Sequence, residues 1–187
     1  MAARLSALQP HPDSPEPRVH RLGAGAERRA ASLAFEYRVS GELAALRLPP
    51  LGPLQRRDGL WRHSCFEAFI AAAGAAEYFE FNFSPRGEWA AYRFESYRAA
   101  MRPLVLAAVP RIEVRRDATE LVLEASVRLE EPVAPAASAL LRVGLAAVIE
   151  DESGRLSYWA LRHVPGKADF HHRDGFVLEL DAPAPEA

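Results

Sequence analysis

The sequence predicts an all-β fold: a single-domain antiparallel β-sandwich, jelly-roll or immunoglobulin-like, built from about ten short strands. Three observations lead there. Tyr78 to Ser84 alternates strictly, with Phe79, Phe81 and Phe83 on one side and Tyr78, Glu80, Asn82 and Ser84 on the other. A period of two sends successive side chains to opposite faces of a sheet, and three aromatics on one face need a second layer to cover them. Turn signals recur between short apolar runs, and no stretch carries the pattern of a long amphipathic helix.

Taken in order, residues 3–8 read as a short first strand, and residues 9–17, with four prolines, as an extended loop. His20 to Ala31 has weak helical character at best. Ser32 to Val39 is a half-buried strand, with Leu33, Phe35, Tyr37 and Val39 on its apolar side. Gly41 turns the chain into a short strand, Ala44 to Leu48, which Pro49 and Pro50 end. Leu51 to Gly59 is a loop. The strand His63 to Ala72 follows, with Trp61 at its opening, and then a tight connection through Gly74. Glu77 to Glu95 is a hairpin, because Ser84-Pro85-Arg86-Gly87 has turn chemistry. Ser96 to Leu106 reads as a short helix or a loop. Arg111 to Arg116 and Thr119 to Val127 alternate around a turn at Asp117. Residues 130–138 form a second Pro-rich loop. Leu140 to Asp151 and Leu156 to Leu161 are strands around a turn at Gly154, and a loop from Arg162 to Gly175 carries three histidines. Phe176 to Leu180 is the last strand, and residues 183–187 are a frayed tail. The domain is expected to span residues 1–187, with its core at about 30–180.

A chain of 187 residues can bury a sizeable core, and 49% hydrophobic with 26% charged residues is ordinary for a globular protein. A net charge of -2 supplies no electrostatic reason for nucleic acid or an anionic membrane as partner. Cys65 is the sole cysteine, so no internal disulfide forms. No apolar run approaches a membrane span, and residues 1–17 lack a secretory pattern, so a cytoplasmic location is expected.

Glycine-rich phosphate loops, nucleophile elbows and paired-cysteine zinc patterns are absent. Cys65 sits mid-strand with nothing to activate it. The loop from His163 to Asp174 holds His163, Asp169, His171 and His172, which are candidate ligands for a divalent metal. Met101 with His163 is a candidate axial pair for haem. The polar strand faces carry Glu67, Glu80, Asn82, Trp89, Arg93 and Arg142, with Trp61 and Trp159 alongside. Gly144 and Ala146 leave room above the sheet. Tryptophan, carboxylate, amide and guanidinium together suit a sugar: a ring stacks on the pyranose C–H face while planar polar groups read its hydroxyls. The competing reading makes Trp61 and Trp159 core anchors and the charges a solvated face.

Leu60 to Ile70, Tyr78 to Phe94 and the later run Gly144 to His163 resemble the bacterial DOMON-like domain proteins. These are similar to family 9 carbohydrate-binding modules and to the DOMON superfamily. The resemblance implies a β-sandwich that binds sugar or haem and has no catalytic machinery. It implies a ligand held between two tryptophans, with a carboxylate six residues after the first. Trp61 and Glu67 match that spacing, Asn82 lies in a matching strand motif, and Trp159 is the candidate second tryptophan. A positive charge expected near Asn82 is not evident, and Glu80 stands there instead. The leading expectation is therefore a non-catalytic module for a small ligand, a carbohydrate first, needing no cofactor. The alternatives are a haem or metal module on the histidine loop, an enzyme on a sugar-like substrate using Glu67 or Glu80, and an interaction module.

Overall fold

The computed structural model describes residues 4–16, 18–29, 31–129 and 139–182. Two antiparallel sheets face one another. The smaller has the order β1-β3-β4-β10-β9, formed by Ser6–Ala7, Val19–Arg29, Ser32–Gly41, Glu120–Arg128 and Arg111–Arg116. The larger runs β2-β12-β11-β5-β6-β7-β8. Its strands are Gln9–Pro10, Leu156–Ala160, Leu141–Glu150, Cys65–Ala72, Tyr78–Phe83, Trp89–Phe94 and Arg102–Pro103. The last strand, β13 (Leu178–Leu180), pairs with the start of β11, on residues that β12 leaves free.

The period-two pattern accounts for the core. Phe66, Ala68 and Ile70 of β5, the three phenylalanines of β6, and Leu141, Val143, Leu145, Ala147 and Ile149 of β11 all face the smaller sheet. They meet Leu33, Phe35, Tyr37 and Val39 of β4 and Leu121, Leu123, Ala125 and Val127 of β10. Two sheets with one apolar face each bury both by packing together. A buried polar contact crosses this layer: the Tyr37 hydroxyl, fully buried, donates to the Glu67 backbone carbonyl at 2.8 Å.

The structure corrects three readings. The segment His20 to Ala31 is expected to be weakly helical, but its residues His20 to Arg29 belong to the eleven-residue strand β3, and residue 30 lies outside the described residues. Its inward residues are Leu22, Ala24 and Ala26, and glycines at 23 and 25 separate them, so small side chains hide the alternation. Ala44 to Leu48 is not a strand: Leu43–Ala45 makes one 3-10 turn, and Leu46 then forms a single bridge to Asp151. Trp61 does not open β5 but sits in another 3-10 turn, Leu60–Arg62. The second Pro-rich loop, residues 130–138, and the tail, residues 183–187, lie outside the described residues.

Tyr37→Phe removes one buried hydrogen bond and little volume. The expected loss is about 1 kcal/mol, a fall of about 2–4 °C in melting temperature for a chain of this size. Circular dichroism melting of the variant beside the wild type measures it; an unchanged midpoint would show that the bond contributes nothing.

Candidate functional site

The outer face of the larger sheet is not a solvated surface. Opposed residues of an antiparallel pair share a face. Glu67 opposes Asn82 on one side and Ala146 on the other, while Glu80 opposes Phe69 and Tyr92. These residues are covered from above. Phe176 lies on Gly144, so close that an added Cβ there would sit 2.9 Å from its ring. Arg173 donates to the carbonyls of Ala75, Ala76 and Glu77 and lies over the rings of Tyr78 and Phe176. The histidine loop is thereby fastened across the sheet. A second apolar cluster forms beneath it, with Cys65, Phe69, Tyr78, Tyr92, Phe94 and Phe176 at its centre.

Beside this cluster a cleft of about 450 Å³ remains open. Trp61, Tyr158, Phe170 and Phe94 provide aromatic walls, with Val148, Met101 and Ala168 between them. Glu67, Glu80, Arg98 and His171 are its charged and polar lining. Glu67 and Glu80 are 3% and 4% exposed, and Asn82, which donates to Glu80 Oε1 at 2.7 Å, is fully buried. Glu67 Oε1 and Asn82 Oδ1 are buried without a hydrogen-bond partner in the protein. Such atoms are costly to leave unpaired, so they mark where a ligand or water donor belongs.

The charges are set by their surroundings. Burial pushes the Glu80 carboxyl up to about 7, against the pull of Asn82 and Arg98. Burial, then the neighbouring Glu80 charge, pushes Glu67 well above the ordinary carboxylate range, with Arg98 opposing. His171 is pushed down to about 4 by burial and by Arg98. Its Nδ1 lies 2.8 Å from the Tyr78 hydroxyl, and that oxygen accepts from the Arg98 backbone N–H at 3.2 Å. With that acceptance made, the hydroxyl is free to donate to Nδ1. The neutral ring then carries its proton on Nε2, which faces Glu80 Oε2 at 3.8 Å.

The structure brings together some of the residues singled out in the sequence and separates others. Trp61, Glu67 and Glu80 line the cleft, and Asn82 supports it from below. Trp159 does not: it opposes Ala147, faces the smaller sheet, and spends its indole N–H on Ser157. Its neighbour Tyr158 takes the outer face instead. Trp89 opposes Phe83 and is likewise a core residue. Arg93 opposes Phe79, leaves the sheet at an exposed position and pairs with Glu77. Arg142 pairs with Glu179 at 2.7 Å and borders a separate surface depression with Arg173. The space over Gly144 is filled by Phe176 rather than open.

The metal and haem candidates are also dispersed. His163 Nε2 is 2.8 Å from the Gln9 carbonyl, and His163 is not among the residues lining the cleft that holds Met101. His172 accepts from the Asp174 N–H at the start of a 3-10 turn. Asp169 accepts from Tyr97, from Arg98 and from the His171 N–H. Burial opposes its ionisation, but those hydrogen bonds win and hold it below the usual carboxylate range. Among the described residues no group of three His, Cys, Asp or Glu side chains is placed to hold a metal ion.

Arg98 and Phe170 were not legible as site residues. Arg98 supplies a positive charge beside the two glutamates, from a segment that reads as helix or loop. Its backbone has φ 51°, and Ala100 has the same value. Left-handed backbone at two residues with side chains is a strain that surrounding contacts must hold. Here the Arg98 N–H donates to the Tyr78 hydroxyl at 3.2 Å, the Ala99 N–H donates to the Ser96 carbonyl at 3.0 Å, and the Asp169 carboxylate holds the Arg98 side chain at 2.7 Å.

Because folding raises the Glu80 value from 4.5 to about 7, the stability from its proton is intact below pH about 4.5 and lost as pH rises through about 7. His171, lowered from 6.5 to about 4, works the other way: its contribution is lost as pH falls through that range. Glu80→Gln isolates the first effect. The melting temperature of the wild type minus that of the variant should fall between pH about 5 and 8. A difference that does not move with pH would assign Glu80 an ordinary carboxylate value.

No family model and no curated protein matches this sequence. Solved structures do. A candidate carbohydrate-binding protein of Bacteroides uniformis aligns over 95% of this chain and 85% of its own, with a TM-score of 0.70 and 11% identity. A family 9 carbohydrate-binding module of Caldicellulosiruptor kristjanssonii was solved with cellotriose and with glucose. The cellotriose complex aligns over 98% of this chain and 85% of its own, at TM-score 0.56 and 12% identity. The glucose complex aligns over 93% and 83%, at 0.53 and 11%. At such identities the likeness is one of fold: this chain shares the β-sandwich of those carbohydrate-binding proteins.

Proposed function

We propose that the outer-face cleft binds a carbohydrate, without catalysis, and that the chain is a DOMON-like relative of the family 9 modules. One observation carries the reading. An unpaired acceptor, Glu67 Oε1, lies buried in the lining of a cleft whose walls are Trp61, Tyr158, Phe170 and Phe94, with Asn82 Oδ1 also unpaired beneath it. A sugar is amphipathic in the same sense: hydroxyl donors around a ring whose faces are C–H. Glu67 accepts from those hydroxyls, Asn82 positions Glu80 from below, Arg98 donates to ring or hydroxyl oxygens, and Trp61 stacks. Phe170, which lines the same cleft, serves in place of Trp159, the second tryptophan that the resemblance implies. The likeness in fold to carbohydrate-binding proteins supports this reading. No cofactor enters it.

Calorimetric titration with glucose and cellotriose tests the reading. Trp61→Ala should weaken binding about tenfold or more, with only a modest fall in melting temperature because Trp61 is half-exposed and packs on the edge of the outer cluster. Trp159→Ala should instead destabilise the fold by about 3–5 kcal/mol. Saturable sugar binding that survives Trp61→Ala and Glu67→Gln unchanged would place the site elsewhere. Absence of binding across a wider panel of mono- and disaccharides would end the carbohydrate reading.

A further inference from the structure

The Leu60–Arg62 turn that presents Trp61 to the first cleft also borders another. Leu60, Arg62 and His63 line a second cleft of about 390 Å³, together with Arg47, Arg57 and Arg86. We propose that this second cleft is a binding site for a small phosphate-bearing anion.

Charge supports the assignment. Two carboxylates at this cleft, Glu88 and Glu150, are almost fully buried. Glu150 takes Arg47 at 2.6 Å and His63 at 2.7 Å. Glu88 takes Arg57 at 3.2 Å, while Arg86 stands off at 3.8 Å. The third acid at the rim, Asp58, is held by Arg56 and by the Tyr92 hydroxyl. Four guanidinium groups, of Arg47, Arg57, Arg62 and Arg86, therefore answer two carboxylates. The local excess is two positive charges, in a chain whose net charge is -2.

Unused donors support it as well. Among the described residues Arg62 has no ion-pair or hydrogen-bond partner for its guanidinium. Arg86 Nε is buried without a hydrogen-bond partner, although Glu88 lies nearby. Buried N–H groups of a guanidinium are seldom left idle, because their desolvation is costly. The two carboxylates hold Arg47 and Arg57 as a preformed frame. Arg62 keeps free a planar fork that matches phosphate oxygens, and Arg86, loosely paired with Glu88 and packed on Gly52, stands beside it. A dianionic phosphate monoester, or phosphate itself, matches the excess of two charges. The site is separate from the carbohydrate cleft and does not depend on that reading.

The test is calorimetric titration of the full chain at low salt with inorganic phosphate and, separately, with methyl phosphate. Arg62→Gln and Arg86→Gln are compared with the wild type, and each is checked for folding by circular dichroism. The expected result is saturable binding to the wild type that weakens at least about fivefold in each variant. Tighter binding of the ester points to a phosphorylated metabolite or sugar; tighter binding of the inorganic ion points to free phosphate. If Arg86→Gln fails to fold, Arg62→Gln decides alone, since its side chain is exposed and unpaired. No binding to the wild type at about 10 mM of either probe, a concentration that would detect even millimolar affinity, overturns the proposal. So does binding unchanged by Arg62→Gln.

Discussion

Everything at the site depends on the register of β5 against β6. Phe66 opposes Phe83, Ala68 opposes Phe81 and Ile70 opposes Phe79, so six apolar side chains commit that face to the core. The same register sets Glu67 against Asn82 on the reverse side. A slip of β6 by one residue would carry Glu80 and Asn82 into the apolar layer and its three phenylalanines out of it. The cost of that exchange locks the pairing. The position of the acceptors is thus a by-product of hydrophobic burial on the other face. The Tyr37 hydroxyl then fixes the Glu67 backbone from beneath.

A sheet held in this way would normally keep polar residues on its outer face in water. Here they are enclosed by a loop with few backbone ladders of its own, held at Phe176, Arg173 and Asp169. Enclosure costs the glutamates their hydration and raises their affinity for protons. It also strengthens any hydrogen bond that a ligand makes there, since competing water is partly displaced. A cleft that is uncomfortable for bare carboxylates is well suited to a guest rich in hydroxyl donors. The two properties have one cause.

The strands with large alternating side chains could be read from the sequence, and with them the sandwich. Glu67, Glu80 and Asn82 were legible because local periodicity decides which way each points; Trp61, in a 3-10 turn, was legible from its spacing to Glu67. What failed was everything that depends on partners distant in sequence. Trp89 and Trp159 looked equivalent to Trp61 until pairing placed them opposite Phe83 and Ala147, on the buried side. Arg98 and Phe170 sit in segments without periodicity, and only the folding of the histidine loop over the sheet brings them beside Glu80. Strand β3 was obscured for a different reason: glycine and alanine carry too little hydrophobic contrast to show a period of two.

The lone cysteine occupies an informative place in this arrangement. Cys65 is fully buried in the outer cluster, at the first residue of β5, and burial pushes its thiol well above the ordinary value. A thiol reagent therefore meets neither a surface nor a thiolate while β5 stays paired. Its modification proceeds through molecules in which the cover of the outer cluster has lifted or the sheet has opened. The chain carries a built-in clock for opening of its own site, read as the rate at which one sulfur becomes reactive.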